Sequence, residues 1–194
     1  MLSRVAEALF WVGRYVERAE DTARLLDVHF HQVIEDPATD EGETCRVLAA
    51  VMGVEADTPK DIRETLEVLG YQSEHPSSIV GALLAARQNA RGVRESLSAD
   101  IWECLNTTHY ELPQRIGAAR AFGPAPFFSY VRQRAAMLAG YADATMSRDH
   151  GFDFLVLGRS VERVDMTARL LAATVSTPSP EDGWIATLRA CSAH

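Results

Sequence analysis

Apolar residues recur three and four positions apart along almost the whole chain, with charged residues between them. Alternating, strand-type runs are absent, so the pattern predicts an all-α bundle of about seven to eight helices. Ser3 is placed to cap a first helix running to about Ile34, stopped by Asp36-Pro37. Gly13, inside it, predicts either a kink or close packing. A short helix is expected over Glu41 to Met52. Thr58-Pro59 reads as the next start and Gly70 as its stop. Pro76-Ser77-Ser78 opens a helix through about Glu95, and Ser98 and Asp100 cap another that carries Trp102 and Leu105. Pro113 is expected to interrupt that helix. Gly123-Pro124-Ala125-Pro126 reads as a loop, followed by helix from about Phe127 to Met146. Asp149-His150-Gly151 precedes a further helix ending before Pro178 and Pro180, and a last one covers about Trp184 to Cys191.

One pattern occurs twice. Gly13-Arg14-x-Val16-Glu17-Arg18 through Thr22-Ala23-Arg24-Leu25-Leu26 returns as Gly158-Arg159-x-Val161-Glu162-Arg163 through Thr167-Ala168-Arg169-Leu170-Leu171. Ser3-Arg4 and Ser147-Arg148 precede the two copies at nearly the same distance, and Leu188-Arg189-Ala190 loosely echoes Leu48-Ala49-Ala50. The unit is about 145 residues. Residues 1–194 thus read as one helical domain, with a first unit over about 1–145 and an incomplete second unit over about 146–194. An incomplete unit predicts an exposed apolar patch, or a homo-oligomer that covers it.

At 100° per residue, Gly13, Glu17, Glu20 and Arg24 share one stripe, as do Gly158, Glu162, Asp165 and Arg169. The stripe borders an apolar face of Val12, Val16, Ala19, Ala23 and Leu26. Arg24 lies two turns from Glu17 and at i,i+4 from Glu20. The two helices are expected to pack together near Gly13 and Gly158, sharing a pseudo-symmetric network of carboxylates with Arg14, Arg18 and their repeats. That network reads either as a structural ion-pair device or as a site. Di-metal bundles place Glu-x-x-His motifs on facing helices. Histidine is missing at those positions, so no metal and no cofactor is expected. Capture of a phosphate or carboxylate by arginine is the stronger site reading. His29 and His31 lie on different sides of a helix and read as surface or packing residues. No catalytic nucleophile is identified by spacing, and no Gly-rich phosphate loop follows a strand.

A second charged element is Arg87-Gln88-Asn89-Ala90-Arg91-Gly92-Val93-Arg94, with Arg87, Arg91 and Arg94 on one face. Such cations repel one another unless acids or a ligand answer them. Glu17, Glu20, Glu162 and Asp165 are the candidate acids. Trp102-Glu-x-Leu-Asn106 follows.

The net charge of −8 argues against a nucleic-acid partner or an anionic membrane surface. No run reaches the roughly 18 apolar residues of a membrane span. The N-terminus, interrupted by Arg4, Glu7 and Arg14, does not read as a signal peptide. Three scattered cysteines, Cys45, Cys104 and Cys191, fit a reduced, cytoplasmic chain.

The run Leu9-Phe10-Trp11-Val12-Gly13-Arg14-Tyr15-Val16-Glu17-Arg18-Ala19-Glu20, the Ala-Arg-x-Asn-Ala-Arg-x-Val-Arg run over 86–94, Trp102-Glu-x-Leu-Asn106 and the second Gly-Arg-x-x-Glu-Arg copy together resemble the bacterial alpha-E family. The family is all-helical and named for its Glu-Arg motif. Its typical members are longer, so the resemblance implies a chain shortened in its second half. It also implies the company of ATP-grasp ligases and transglutaminase-like cysteine peptidases, a bacterial system that forms and cleaves amide bonds. Three roles follow: a non-catalytic accessory that binds such a partner or presents a peptide; an enzyme of that system using Glu17 and Glu162 as acid and base with arginines holding an anionic substrate; or a purely structural fragment.

Overall fold

The computed structural model describes residues 2–35, 39–54, 59–176 and 180–193. Every regular element among them is helical. α1 spans Ser3–Glu35, α2 Glu41–Met52, α3 Ile62–Thr65, α4 Ile79–Gly92, α5 Ala99–Phe122, α6 Ala125–Thr145, α7 His150–Val175 and α8 Pro180–Ala190. A π-helical turn, Leu66–Tyr71, continues α3, and a 3₁₀ turn, Arg94–Ser96, leads into α5.

Short polar residues set most helix starts by satisfying free amide groups of the first turn. Asp40 accepts from the Glu43 amide at 2.9 Å, Ser78 from Gly81 at 2.8 Å, Ser98 from Ile101 at 3.3 Å, and Asp149 from Gly151 at 2.8 Å. α1 starts one residue earlier than a Ser3 cap requires, because the Leu2 carbonyl accepts from Val5 and Ala6. Three expectations need correction. The third helix starts later, capped by Asp61, whose side chain accepts from Glu64 at 2.7 Å, and the π turn that follows ends at Tyr71, one residue beyond Gly70. α5 runs through Pro113 without ending. Proline removes one amide donor there, but Leu112 and Ala119 are buried on either side and hold the helix in place. The loop expected over residues 123–126 is shorter, since α6 begins at Ala125 behind Pro124. The stops assigned to Asp36-Pro37 and Pro178, and the cap assigned to Thr58, lie outside the described residues.

α1 is the axis of the fold. It packs on α7 along one side and on α4 and α6 along the other, with α5 closing the outer layer over α4 and α6. One part of the core joins Val12 and Val16 of α1 to Ala86 and Ala90 of α4 and Leu138 of α6. The other joins Ala19, Ala23 and Leu26 to Leu83, Phe128 and Val131. The short helices cross over: α2, which follows α1, touches α7, and α8, which follows α7, touches α1.

Candidate functional site

The α1–α7 contact is made by glycine. A Cβ on Gly13 would run into the carbonyl oxygen of Leu155, and one on Gly158 into that of Phe10. Leu155 and Phe10 are themselves matched positions of the two motif copies. Backbone therefore lies against backbone at two equivalent points, which brings the next turn of each helix within side-chain reach of the other.

Across that contact the two copies exchange partners. Arg14 Nε donates to Glu162 Oε2 at 2.5 Å and Arg18 Nε to Glu162 Oε1 at 2.6 Å. In the mirror arrangement, Arg159 Nε donates to Glu17 Oε2 at 3.3 Å and Arg163 Nε to Glu17 Oε1 at 2.5 Å. Each glutamate thus accepts from two arginines of the other copy. The carboxylates are sealed: Glu17 is 1 % and Glu162 2 % exposed. An unpaired carboxylate at that depth is very costly, and two charge-assisted bonds apiece are what make it tenable.

The two halves of the brace differ in shielding. Arg14 lies over the rings of Phe10 and Trp11, 5.9 and 5.6 Å from their centroids, and Arg18 over Tyr15 at 5.5 Å. The matched positions in the second copy are Leu155, Val156 and Ser160, which offer no ring. Accordingly Arg14 and Arg18 are each 18 % exposed, whereas Arg159 and Arg163 are 25 % and 56 % exposed.

The outer charges pair within their own helices. Glu20 accepts from Arg24 at 2.5 Å, and Asp165 pairs with Arg169 at 3.1 Å, with Arg14 Nη2 3.7 Å from Asp165. Arg169 also donates to the Val51 carbonyl at 3.3 Å, tying α7 to the end of α2. The spacing that suggested a Glu17–Arg24 contact is not used, because Glu17 is already occupied from α7.

Asp21 was not singled out by the sequence pattern. One of its oxygens is buried without a hydrogen-bond partner among the described residues. Burial first, then the neighbouring carboxylates Glu17 and Glu20, push its pKa up to about 8 against the opposing pull of Arg163 and Arg24. Its match in the second copy is the buried Met166. The detectable signal was an acid in one copy where the other has a hydrophobe. Asp21 keeps its proton in the folded state at pH values where the unfolded chain has lost it, so stability is lost as pH rises from about 4 towards 8. Asp21→Asn is expected to flatten that slope and to stabilise the protein at pH 8 by about 1 kcal/mol or more. Urea unfolding of both proteins at pH 5 and pH 8 checks this.

The arginine face of α4 does not meet the acids of the motif, contrary to the pairing the sequence left open. Arg87 directs Nε and Nη2 onto the single Oδ1 of Asn106, at 3.0 and 2.8 Å, and its guanidinium lies 5.6 Å from the Trp102 ring. Arg94 lies 5.2 Å from the same ring. Asn89 donates to the Ala85 carbonyl at 2.9 Å within α4. Arg91 and Arg94 are exposed, and among the described residues none of the three arginines has a carboxylate within ion-pair distance. Beside Arg94 opens a cleft of ≈ 690 Å³ bounded by Arg94, Glu95, Ser98, Trp102, Glu103 and Asn106.

His29 and His31 each turn Nδ1 back to a carbonyl of their own helix, Leu25 at 2.9 Å and Asp27 at 2.7 Å. Burial lowers the His29 pKa. The three cysteines are free thiols, and burial raises the pKa of each. Among the described residues no three His, Cys, Asp or Glu side chains converge as a metal site requires, and no helix is long and apolar enough to cross a membrane.

A helical bundle whose two Glu-Arg copies clasp each other across a glycine contact is the class of protein these features define. The chain belongs to the Alpha-E family, described as "a predicted alpha-helical domain with a conserved ER motif", whose model matches residues 1–194. The ER pairs are Glu17-Arg18 and Glu162-Arg163. The chain is similar to an uncharacterized protein of Mycobacterium bovis, 32 % identical over 215 aligned residues, and to one of Mycobacterium tuberculosis, 31 % identical over the same length. Each match takes in 97 % of this chain and 24 % of the relative, so the chain spans about a quarter of the length of these relatives. No solved structure matches it.

Proposed function

We propose that this protein is a non-catalytic accessory that recognises a peptide or protein partner in a bacterial amide-bond system, in the company of an ATP-grasp ligase and a transglutaminase-like peptidase. The observation that carries this reading is the contrast between the two arginine groups. Those of the ER motif are consumed by Glu17 and Glu162, whereas among the described residues Arg87, Arg91 and Arg94 have no acid partner, Arg94 borders an open cleft, and Arg87 reaches the Trp102 and Asn106 that line it. Arginines stacked on Trp102 are pre-oriented cations suited to carboxylates. Glu95 and Glu103 line the same cleft, so a surface of mixed charge, such as a peptide segment, fits better than a bare phosphate.

The enzymatic alternative, with Glu17 and Glu162 as acid and base, has less support. An acid–base pair must reach its substrate, and both carboxylates are sealed and already accept from two guanidiniums each.

The test is reconstitution. Amide formation by the ligase and cleavage by the peptidase are measured with and without this protein, and with Arg91→Ala and Arg94→Ala. Partner rates are expected to fall when the protein is left out. The two variants are expected to weaken partner affinity about tenfold, as loss of a charge-assisted contact does. Rates indifferent to the protein count against the reading.

A further inference from the structure

The cleft beside Arg94 is a local construction. Every residue that bounds it lies between Arg94 and Asn106, in the 3₁₀ turn and the first two turns of α5. The turn is fixed on both sides. Val93 before it is buried, and the Ser98 hydroxyl after it caps α5 and accepts from Thr145 Oγ1, at the end of α6, at 2.7 Å. A volume of ≈ 690 Å³ is that of a small-ligand site, enough for a short segment and too small for a broad protein face.

Its lining carries unused hydrogen-bond donors. Trp102 and Asn106 stand one turn apart on the same face of α5. Arg94 lies over the Trp102 ring from the turn, and Arg87 reaches the same ring from α4. Arg87 takes the Oδ1 of Asn106 with both Nε and Nη2, which leaves the donor half of that amide, Nδ2, over. Among the described residues Asn106 Nδ2, Trp102 Nε1 and the Arg94 guanidinium meet no acceptor, and none of them is closed off from solvent. The acids of the cleft do not answer them. Glu103 is about 100° round α5 from Trp102, Glu95 follows Arg94 in the turn, and both are exposed and without an ion pair among the described residues. Unpaired donors therefore stand beside unpaired acids, the complement of a ligand that carries both charges.

We propose that this cleft binds a peptide carboxylate with a cationic side chain next to it: Arg94 and Asn106 Nδ2 take the carboxylate, and Glu103 and Glu95 take the cation. The inference rests on the peptide-recognition reading above and narrows it to a dipeptide-sized segment. Arg87 is a positioning residue, since it turns the Asn106 amide and braces the Trp102 ring. A ligand with phosphate alone meets two repelling acids, and one with basic groups alone meets Arg94 and Arg87. A chain terminus and an acidic side chain present the same two oxygens, and the fork of Arg94 suits either.

Titration calorimetry with four acetylated peptides tests this: Gly-Lys-Ala with a free C-terminus, the same peptide as its C-terminal amide, the amide of Gly-Lys-Asp, and Gly-norleucine-Ala with a free C-terminus. A carboxylate beside lysine is expected to bind with a Kd of about 0.1 mM, and the peptide without a carboxylate at least about tenfold more weakly. Tighter binding of the free terminus identifies a chain end as the natural source, and tighter binding of the Asp amide an internal acid. Arg94→Gln is expected to weaken the carboxylate peptides about tenfold. Glu103→Gln is expected to reduce the preference for lysine over norleucine and to leave the norleucine peptide unchanged. Both residues are exposed, so both variants are expected to keep the wild-type circular dichroism and melting temperature. Arg46→Gln, exposed on α2, is the control and is expected to bind as the wild type does. No carboxylate peptide bound below about 5 mM, affinity unchanged in Arg94→Gln, or lysine and norleucine bound alike each overturns the proposal. Partner rates that depend on the protein while no peptide binds overturn the cleft assignment alone. Peptide binding with partner rates indifferent to the protein supports the cleft assignment and removes the accessory reading.

Discussion

Glu162→Ala is expected to lower the unfolding free energy by about 4 kcal/mol, within the range for removing one member of a buried ion pair. It leaves Arg18 without a carboxylate and Arg14 with only its 3.7 Å contact to Asp165, both guanidiniums being mostly shielded by Phe10, Trp11 and Tyr15. Glu17→Ala, on the same motif, is expected to cost less, about 2 kcal/mol, because Arg163 is already more than half exposed and water takes over its solvation. Denaturant unfolding of the two variants side by side reads the difference. Equal losses, or a larger loss at Glu17, contradict the role given to the aromatic shield.

The second large effect is at the glycine contact. Gly13→Ala and Gly158→Ala each place a methyl group into an opposing carbonyl, and the neighbouring backbone nitrogens stand only 3.0 and 3.1 Å from the new atom. Backbone on both sides leaves no flexible side chain to give way, so each variant is expected to lose about 3 kcal/mol, at the upper end for overpacking. Because the shift would separate α1 from α7, it would also lengthen the arginine–glutamate bonds on the following turn. Gly13→Ala combined with Glu162→Ala is therefore expected to cost less than the sum of the two. Glycines such as Gly70 and Gly117 have no atom near an added Cβ and serve as controls.

Much of the helical order was legible in the chain, because caps are local. Ser78, Ser98 and Asp149 each satisfy an amide a few residues on, and nothing distant is needed to read them. Pro113 misled for the opposite reason. Its local preference to end a helix is overridden by burial of neighbours against other elements, which no short window contains. The glycines pointed to close packing because each sits on the charged stripe of its own copy. Which glutamate meets which arginine was not readable: a helical wheel allows Glu17 to reach Arg24 along its own helix, and only the approach of α7 brings Arg159 and Arg163 nearer. Asn106 as the partner of Arg87 was hidden in the same way, with 19 positions separating them on two helices.

The central claim is that the two copies of the ER motif hold each other across α1 and α7. A double-mutant cycle on Arg18→Met and Glu162→Gln measures it most directly. A coupling free energy of about 2 kcal/mol is the expected result, typical of residues sharing one buried network. Additivity of the two substitutions to within about 0.3 kcal/mol would contradict the account.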